Sequence, residues 1–262
     1  MLQRIELPGR LNDRPVPDSL RGMIHDLHQR IETFQDRWDV PQVEQFVAAD
    51  YELVYQTLDW IRESQLLIGN RFVEWGCGFA TVTVIADMLG FDAIGIESEA
   101  TLIEQGRKTI SDWWQPLRQT ATDTGTESAS GGNPSGGNPS GGNPSGGNPS
   151  GTPTSQSPVG QSAPPELFRG NFLPSGADDL ADDPTLPSLG HDVPPAYRSI
   201  GLDLDDFAVV YSYPWPGEDE FHESVFAEHA APGAILVQFA GPNDTRAWRR
   251  LANESNRANS TY

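Results

Sequence analysis

Apolar residues recur at helical spacing in two segments between about residue 18 and residue 61. From Asp18 onward they fall at every third or fourth position, which predicts a helix that Asp18 or Ser19 can cap. A second helix is predicted after Pro41, because the same spacing resumes there. Its apolar face consists of Val43, Phe46, Val47, Tyr51, Val54, Leu58 and Ile61. Residues 1–16 lack this pattern, and we expect them to form an irregular arm.

Beyond these helices, short apolar runs typical of buried strands alternate with helical patterns. Strands are predicted at 71–75, 91–97, 167–172, 207–213 and 234–240, and helices near 80–89, 99–116 and 218–230. Gly90 is expected to end the first of these three helices. Strands that alternate with helices predict an α/β fold with a doubly wound, mainly parallel sheet.

The end of this sheet is not determined by the pattern. The 22 residues after Ala240 are polar, and we expect a helix around Arg246–Ala252. The sheet therefore either stops at five strands or has an edge built in another way, and a dimer partner could cover that edge. The oligomeric state stays open.

A low-complexity segment interrupts the main domain. GGNPS occurs four times in succession from Gly131 to Ser150, within a background of Ser, Thr, Gly and Pro that extends over about 120–165. Such a composition cannot bury enough apolar surface to offset its ordering entropy, so a disordered insertion is predicted. It is either a tolerated insertion or a spacer that docks a partner. We divide the chain into an N-terminal helical extension, 1–65, and a main domain, 66–262.

Charge and composition narrow the possible partners and compartments. The net charge is −20 and the pI is about 4.4, and a surface this acidic repels phosphate backbones, so no nucleic-acid partner is expected. The single cysteine excludes an intrachain disulfide, and we expect His25 and His28 to be ordinary helix residues, with no metal site. Without a signal peptide or an apolar run long enough to cross a bilayer, we expect a cytoplasmic protein with no membrane partner.

The stretch VEWGCGFATV, residues 73–82, carries the clearest chemical signal. A strand leads to the acid Glu74, and Gly76 and Gly78 then allow a tight turn into a helix whose first N–H groups are free. In a parallel α/β sheet this turn lies where ligands bind. A dinucleotide site would require a further glycine at Thr81, and Glu74 would repel its pyrophosphate. A cationic ligand would be attracted by the same carboxylate.

These residues resemble the first motif of class I S-adenosylmethionine-dependent methyltransferases, which reads apolar-apolar-acid-x-Gly-x-Gly-x-Gly, with Ala80 in place of the third glycine. The resemblance covers about 71–117 and 166–240 and implies a Rossmann-like methyltransferase fold with S-adenosylmethionine as cofactor. Glu74, Gly76, Cys77 and Gly78 would then contact the cofactor, Cys77 through its backbone or merely as a small spacer. For Glu74, a solvent-facing strand end is the alternative.

The resemblance also assigns four residues outside the motif. Glu97, at the end of the second strand, would accept hydrogen bonds from both ribose hydroxyls, unless it only caps the following helix. Asn171 would face the adenine amino group, and Phe172 would pack on the adenine ring. Tyr51, from the helix before the first strand, would cover the methionine end or simply pack in the core.

After the fourth predicted strand, Ser212, Tyr213, Pro214 and Trp215 resemble the [D/N/S]-[P/I]-P-[Y/F/W] motif of amino-methyltransferases, with Tyr213 as a departure. The resemblance implies that this loop binds the acceptor nitrogen, whereas the prolines by themselves indicate a rigid turn. A base for the acceptor could come from Glu218, Asp219 or His222, although we expect His222 to lie on the helix surface.

An acidic segment, 173–206, follows the third strand. Its acids are Asp178, Asp179, Asp182, Asp183 and Asp192. The segment is either a solvated loop or a lid that prefers a neutral or cationic acceptor.

Three functions stay open on the sequence alone. The first is an S-adenosylmethionine-dependent methyltransferase whose acceptor is a small molecule or a protein side chain, with an amine or amide nitrogen as the candidate atom. The second is a catalytically silent binding module with the same fold. The third is a nicotinamide-dependent oxidoreductase, which Thr81 and Glu74 disfavour.

Overall fold

The computed structural model describes residues 1–37, 47–124, 163–177, 180, 186, 189–241 and 244–252, with backbone only for 118–124. The predicted GGNPS insertion, apart from its first and last few residues, and residues 42–46 of the predicted second helix lie outside this range. So do Asp178, Asp179, Asp182 and Asp183 of the acidic segment. Val47 was expected on the apolar face of the second helix, and this is wrong, because Val47 is 60% exposed and the helix begins only at Tyr51, where Asp50 caps it.

A seven-stranded sheet forms the centre of the molecule, in the order β1-β7-β6-β5-β2-β3-β4. The five strands from β2 to β6 are parallel, and β7 is antiparallel to both of its neighbours. This is the predicted doubly wound, mainly parallel α/β fold, with two more strands than expected. The strands are β1 (Leu2–Ile5), β2 (Arg71–Trp75), β3 (Asp92–Glu97), β4 (Glu166–Arg169), β5 (Val209–Ser212), β6 (Ile235–Gly241) and β7 (Asp244–Arg250).

Helices cover both faces of the sheet. The helices are α1 (Asp18–Gln35), α2 (Tyr51–Glu63), α3 (Thr81–Met88), α4 (Ala100–Thr124), α5 (Tyr197–Ile200) and α6 (Asp219–His229). Short 3₁₀ turns occur at Leu11–Asp13 and Leu204–Asp206. The first four helices pack into one hydrophobic cluster, and α5 and α6 pack into the other. Within the described ranges, no helix is long and apolar enough to cross a membrane.

Helices α1 and α4 form where they were predicted but differ from the prediction at their ends. Helix α1 begins at Asp18 as expected, but Pro17 precedes it and no side chain caps it. Helix α4 continues through Pro116 to Thr124, so the first residues of the expected insertion are helical. Gly90 has a φ of +88° and follows α3, as the helix-ending role requires.

The edge beyond β6 corrects two predictions. The tail around Arg246–Ala252 is strand β7 rather than a helix, and the N-terminal arm supplies strand β1, which pairs with β7 from Leu2↔Arg250 to Ile5↔Ala247. The polar side chains of β7 gave no strand pattern in the sequence, because only Ala247 is fully buried. Arg250 donates to the carbonyls of Ala227 and Glu228.

Candidate functional site

The turn after β2 lies at the point where the strand order reverses, because β3 is on one side of β2 and β5 is on the other. Gly76 and Gly78 have φ angles of +71° and +50°, which residues other than glycine rarely adopt. Ala80 also has a positive φ, +58°, and starts α3 without a capping side chain. Ligands of doubly wound sheets bind at such a switch point.

Glu74 lies beneath this turn and supplies the cap that Ala80 cannot. Its Oε2 accepts the N–H of Thr83 at 2.7 Å and also the Thr83 hydroxyl. The side chain is 4% exposed, so the alternative of a solvent-facing strand end is wrong. Burial raises the pKa of Glu74 to about 8, against the lowering effect of the Thr83 bonds.

Glu97 ends β3 and faces the same turn. Its Oε2 accepts the N–H of Gly78 at 2.8 Å, and its Oε1 accepts the N–H of Glu99 at 2.9 Å, just ahead of α4. The residue is buried, which raises its pKa. Each carboxylate oxygen can accept more than one hydrogen bond, so these contacts leave capacity for ligand hydroxyls.

The backbone of Cys77 connects the glycine turn to strand β3. Its N–H donates to the carbonyl of Ile96 at 2.9 Å, and its thiol is buried, which raises the thiol pKa and makes a reactive thiolate unfavourable. A methyl group at Gly95 would lie 2.8 Å from the Cys77 side chain, so β3 approaches the turn closely. This placement fits the small-spacer interpretation of Cys77.

Tyr51 opens α2 and reaches the same region. It is buried, and its ring stacks on His28 of α1 with 5.7 Å between centroids. Burial raises the pKa of Tyr51, and the neighbouring charge of Glu74 raises it further. The structure thus brings Tyr51, Glu74 and the glycine turn together.

Asn171 and Phe172 have other neighbours than expected. The Asn171 amide donates to the carbonyl of Val193 at 2.9 Å, and its side-chain oxygen accepts the N–H of Leu173. Phe172 stacks on Trp75 at 4.6 Å with 15° between the ring planes, inside the cluster on the opposite face of the sheet from Glu74. As placed, one face of the Phe172 ring is covered by Trp75.

The four-residue loop predicted to bind an acceptor begins at the end of β5. Ser212 is 0% exposed, and its hydroxyl has no hydrogen-bond partner among the described residues. Tyr213 packs edge-on against Phe239 at 4.8 Å. Pro214 is buried and Trp215 is half-buried, so the two aromatic rings of this loop are only partly covered.

His222 was expected on the surface of α6, and this is wrong. It is 3% exposed and packs against Trp75 and Phe172, with centroid distances of 5.6 and 4.7 Å. Within the described part of the chain, neither ring nitrogen has a hydrogen-bond partner. Burial lowers its pKa to about 3, so the imidazole is neutral. A signal was present, because Val225 and Phe226 continue the same buried stripe at helical spacing.

The other two candidate bases and the acidic segment can be placed in part. Glu218 is buried and precedes α6, and Asp219 is half-buried at its first position. Asp192 is exposed.

Two residues of the site escaped the sequence interpretation. Thr83 binds Glu74, and Tyr211 stands directly beside Glu74 on the neighbouring strand β5. No sequence pattern fixes the register between β2 and β5, so the pairing of Glu74 with Tyr211 could not be predicted. The alternation along β5 could have placed Tyr211 on the face of Val209.

Comparison with known proteins gives structural likeness only. No protein-family model matches the chain, and no curated protein matches it. Three solved structures that resemble it have TM-scores between 0.35 and 0.40.

An RNA methyltransferase from Salinibacter ruber in complex with S-adenosyl-L-homocysteine has 12% identity, a TM-score of 0.35 and coverage of 82% of this chain and 95% of its own. An O-methyltransferase from Bacillus cereus in complex with SAH has 9% identity, a TM-score of 0.40 and coverage of 86% and 66%. The rRNA methyltransferase aviRa from Streptomyces viridochromogenes has 11% identity, a TM-score of 0.38 and coverage of 80% and 88%. At such identities the likeness concerns the fold alone.

Proposed function

We propose that the protein binds S-adenosylmethionine at the glycine turn and transfers its methyl group to an acceptor at the end of β5. The observation that carries this proposal is the pair of buried carboxyl groups, Glu74 and Glu97, on either side of a glycine turn at the switch point of the sheet. The two acids disfavour an anionic ligand. They suit a ligand whose ammonium group interacts with one carboxylate and whose two vicinal hydroxyls donate to the other.

The chain's own residues would hold the cofactor in two parts. Glu97 accepts the ribose hydroxyls, and its bonds to Gly78 and Glu99 fix the carboxylate in place. Glu74 faces the ammonium group of the methionine end. The sulfonium supplies the reactive methyl group, so the protein's task is alignment and exclusion of water. Asn171 would border the adenine with its side chain held by its own partners, whereas Phe172 packs on the opposite face of the sheet and is left out of the proposed site.

The acceptor would lie against the loop of Ser212 to Trp215. The Ser212 hydroxyl is buried and has no partner among the described residues, which is unfavourable unless a ligand supplies one. The backbone carbonyl of Tyr213 and the half-buried ring of Trp215 complete a surface for a nitrogen acceptor. We propose an amine or amide nitrogen.

Binding and turnover test this proposal separately. Calorimetric titration should give binding of S-adenosylhomocysteine and none of NAD⁺, because Thr81 stands where a dinucleotide site requires its last glycine. Binding of NAD⁺ alone would instead favour the oxidoreductase. Incubation with S-adenosylmethionine labelled in the methyl group, and a panel of amines and amides, should yield labelled product that the Ser212→Ala variant forms more slowly. Cofactor binding without transfer to any member of the panel would favour the silent binding module.

A further inference from the structure

Tyr211 is a buried phenol that no part of the fold explains. It lies on β5, is 2% exposed, and its hydroxyl has no hydrogen-bond partner among the described residues. Leaving such a group unpartnered is unfavourable, and a phenylalanine would fill the same space without that cost. A ligand that bonds to the hydroxyl would account for the tyrosine.

The position of Tyr211 connects it with the glycine turn. Tyr211 is the Cα partner of Glu74 in the parallel pairing of β5 with β2, so both side chains leave the same face of the sheet. Neighbouring strands are about 4.8 Å apart, so the two residues can contact one small group. The carboxyl groups of Glu74 and Asp50, and the phenols of Tyr51 and Tyr213, are near enough to act electrostatically on the Tyr211 phenol. These surroundings favour a cation.

The hydrogen bonds of Glu74 leave one of its carboxylate oxygens available to such a cation. Both bonds from Thr83 end on Oε2, and within the described ranges none reaches Oε1. An ammonium group has three donors. Oε1 can take one of them, and the unused oxygen of Tyr211 lies on the adjacent strand to take another.

We propose that Tyr211 is a binding residue for the amino-acid end of the ligand, whose ammonium group donates to both Glu74 Oε1 and the phenol oxygen of Tyr211. This inference rests on the proposed cofactor site. It makes Tyr211 the residue that distinguishes a ligand with an amino-acid end from an adenosine derivative without one.

The test compares two ligands across three proteins by calorimetry. S-Adenosylhomocysteine carries the ammonium group, and 5′-methylthioadenosine lacks it. Tyr211→Phe removes only the phenol oxygen. Tyr55→Phe is the matched control, because Tyr55 is buried in the same cluster but has Asp59, Arg14 and Glu63 as its charged neighbours.

Tyr211→Phe should weaken S-adenosylhomocysteine binding by about ten- to a hundredfold, because a hydrogen bond to a charged group is lost. The affinity for 5′-methylthioadenosine should not change. Equal loss for both ligands, or loss for neither, overturns the role of Tyr211 while the cofactor site stands. If the wild type binds neither ligand, the proposed function itself fails, and this inference fails with it.

A measurement on the wild type does not depend on any variant. Decarboxylated S-adenosylhomocysteine keeps the ammonium group and should bind more tightly than 5′-methylthioadenosine. Equal affinity for these two ligands would mean that no group of the protein binds the ammonium, which contradicts the proposal.

Discussion

Replacing Glu74 by Gln tests whether the buried acid is neutral in the ligand-free protein. Glutamine keeps an oxygen that can accept the N–H of Thr83, so the cap of α3 is preserved, but it cannot ionise. Burial raises the pKa of Glu74 from an ordinary 4.5 to about 8. The folded state therefore retains a proton that the unfolded state loses between pH 4.5 and pH 8.

The sign and size of the effect follow from linkage. A group whose pKa is raised on folding contributes stability that is fully present below the unfolded value and is lost as the pH rises through the folded value. Each pKa unit corresponds to about 1.4 kcal/mol, so the contribution of Glu74 should fall by about 3–4 kcal/mol between pH 5 and pH 8. The variant lacks this loss.

Urea unfolding of both proteins at pH 5, 6, 7 and 8, without ligand, measures the difference directly. The wild type should lose stability relative to Glu74→Gln at each step upward in pH, with equal m-values. Comparing the two proteins at each pH largely removes the contributions of other titrating groups, His222 included. A stability difference that does not change with pH would refute the buried, protonated state of Glu74.

Three further changes have expected outcomes. His222→Phe should be more stable relative to the wild type at pH 5 than at pH 8, by about 2 kcal/mol. Burial lowers the pKa of His222 to about 3, whereas in the unfolded state the imidazole binds a proton below its ordinary pKa of 6.5. Urea unfolding of both proteins at pH 5 and pH 8 measures this difference. Gly106→Ala should weaken S-adenosylhomocysteine binding, since its methyl group would lie 3.1 Å from the Gly78 carbonyl. Gly22→Ala should not, since its methyl group would come no closer than 4.0 Å to Trp113, and calorimetry decides between the two variants. Deleting residues 1–6 should lower the melting temperature by several degrees, because β1 pairs with β7, and an unchanged melting temperature would contradict that pairing.

The parts of the fold that local patterns determine could be predicted from the sequence. The central parallel strands β2, β5 and β6 are short apolar runs that are largely buried on both faces, and the helices between the strands carry apolar stripes. The glycine turn is also local, because Gly76 and Gly78 are needed for its backbone angles. These features lie within segments of about ten residues.

Pairings between distant segments could not be predicted. Strand β7 is rich in arginine and presents Ala247 as its one fully buried residue, so it resembles a solvated tail until β1 arrives from the other end of the chain. The same limit applies to the site. Glu74 and Tyr211 are neighbours only because β2 and β5 pair in one particular register.

Calorimetric titration of S-adenosylhomocysteine into the wild type, Glu97→Ala and Glu104→Ala is the most direct test of the cofactor site. Glu104 is an exposed acid on α4 and serves as the matched control for loss of one negative charge. The account predicts binding by the wild type and by Glu104→Ala, and a loss of at least about tenfold in Glu97→Ala, where hydrogen bonds to a charged acceptor disappear. Absence of binding by the wild type, or equal affinity in all three proteins, would contradict it.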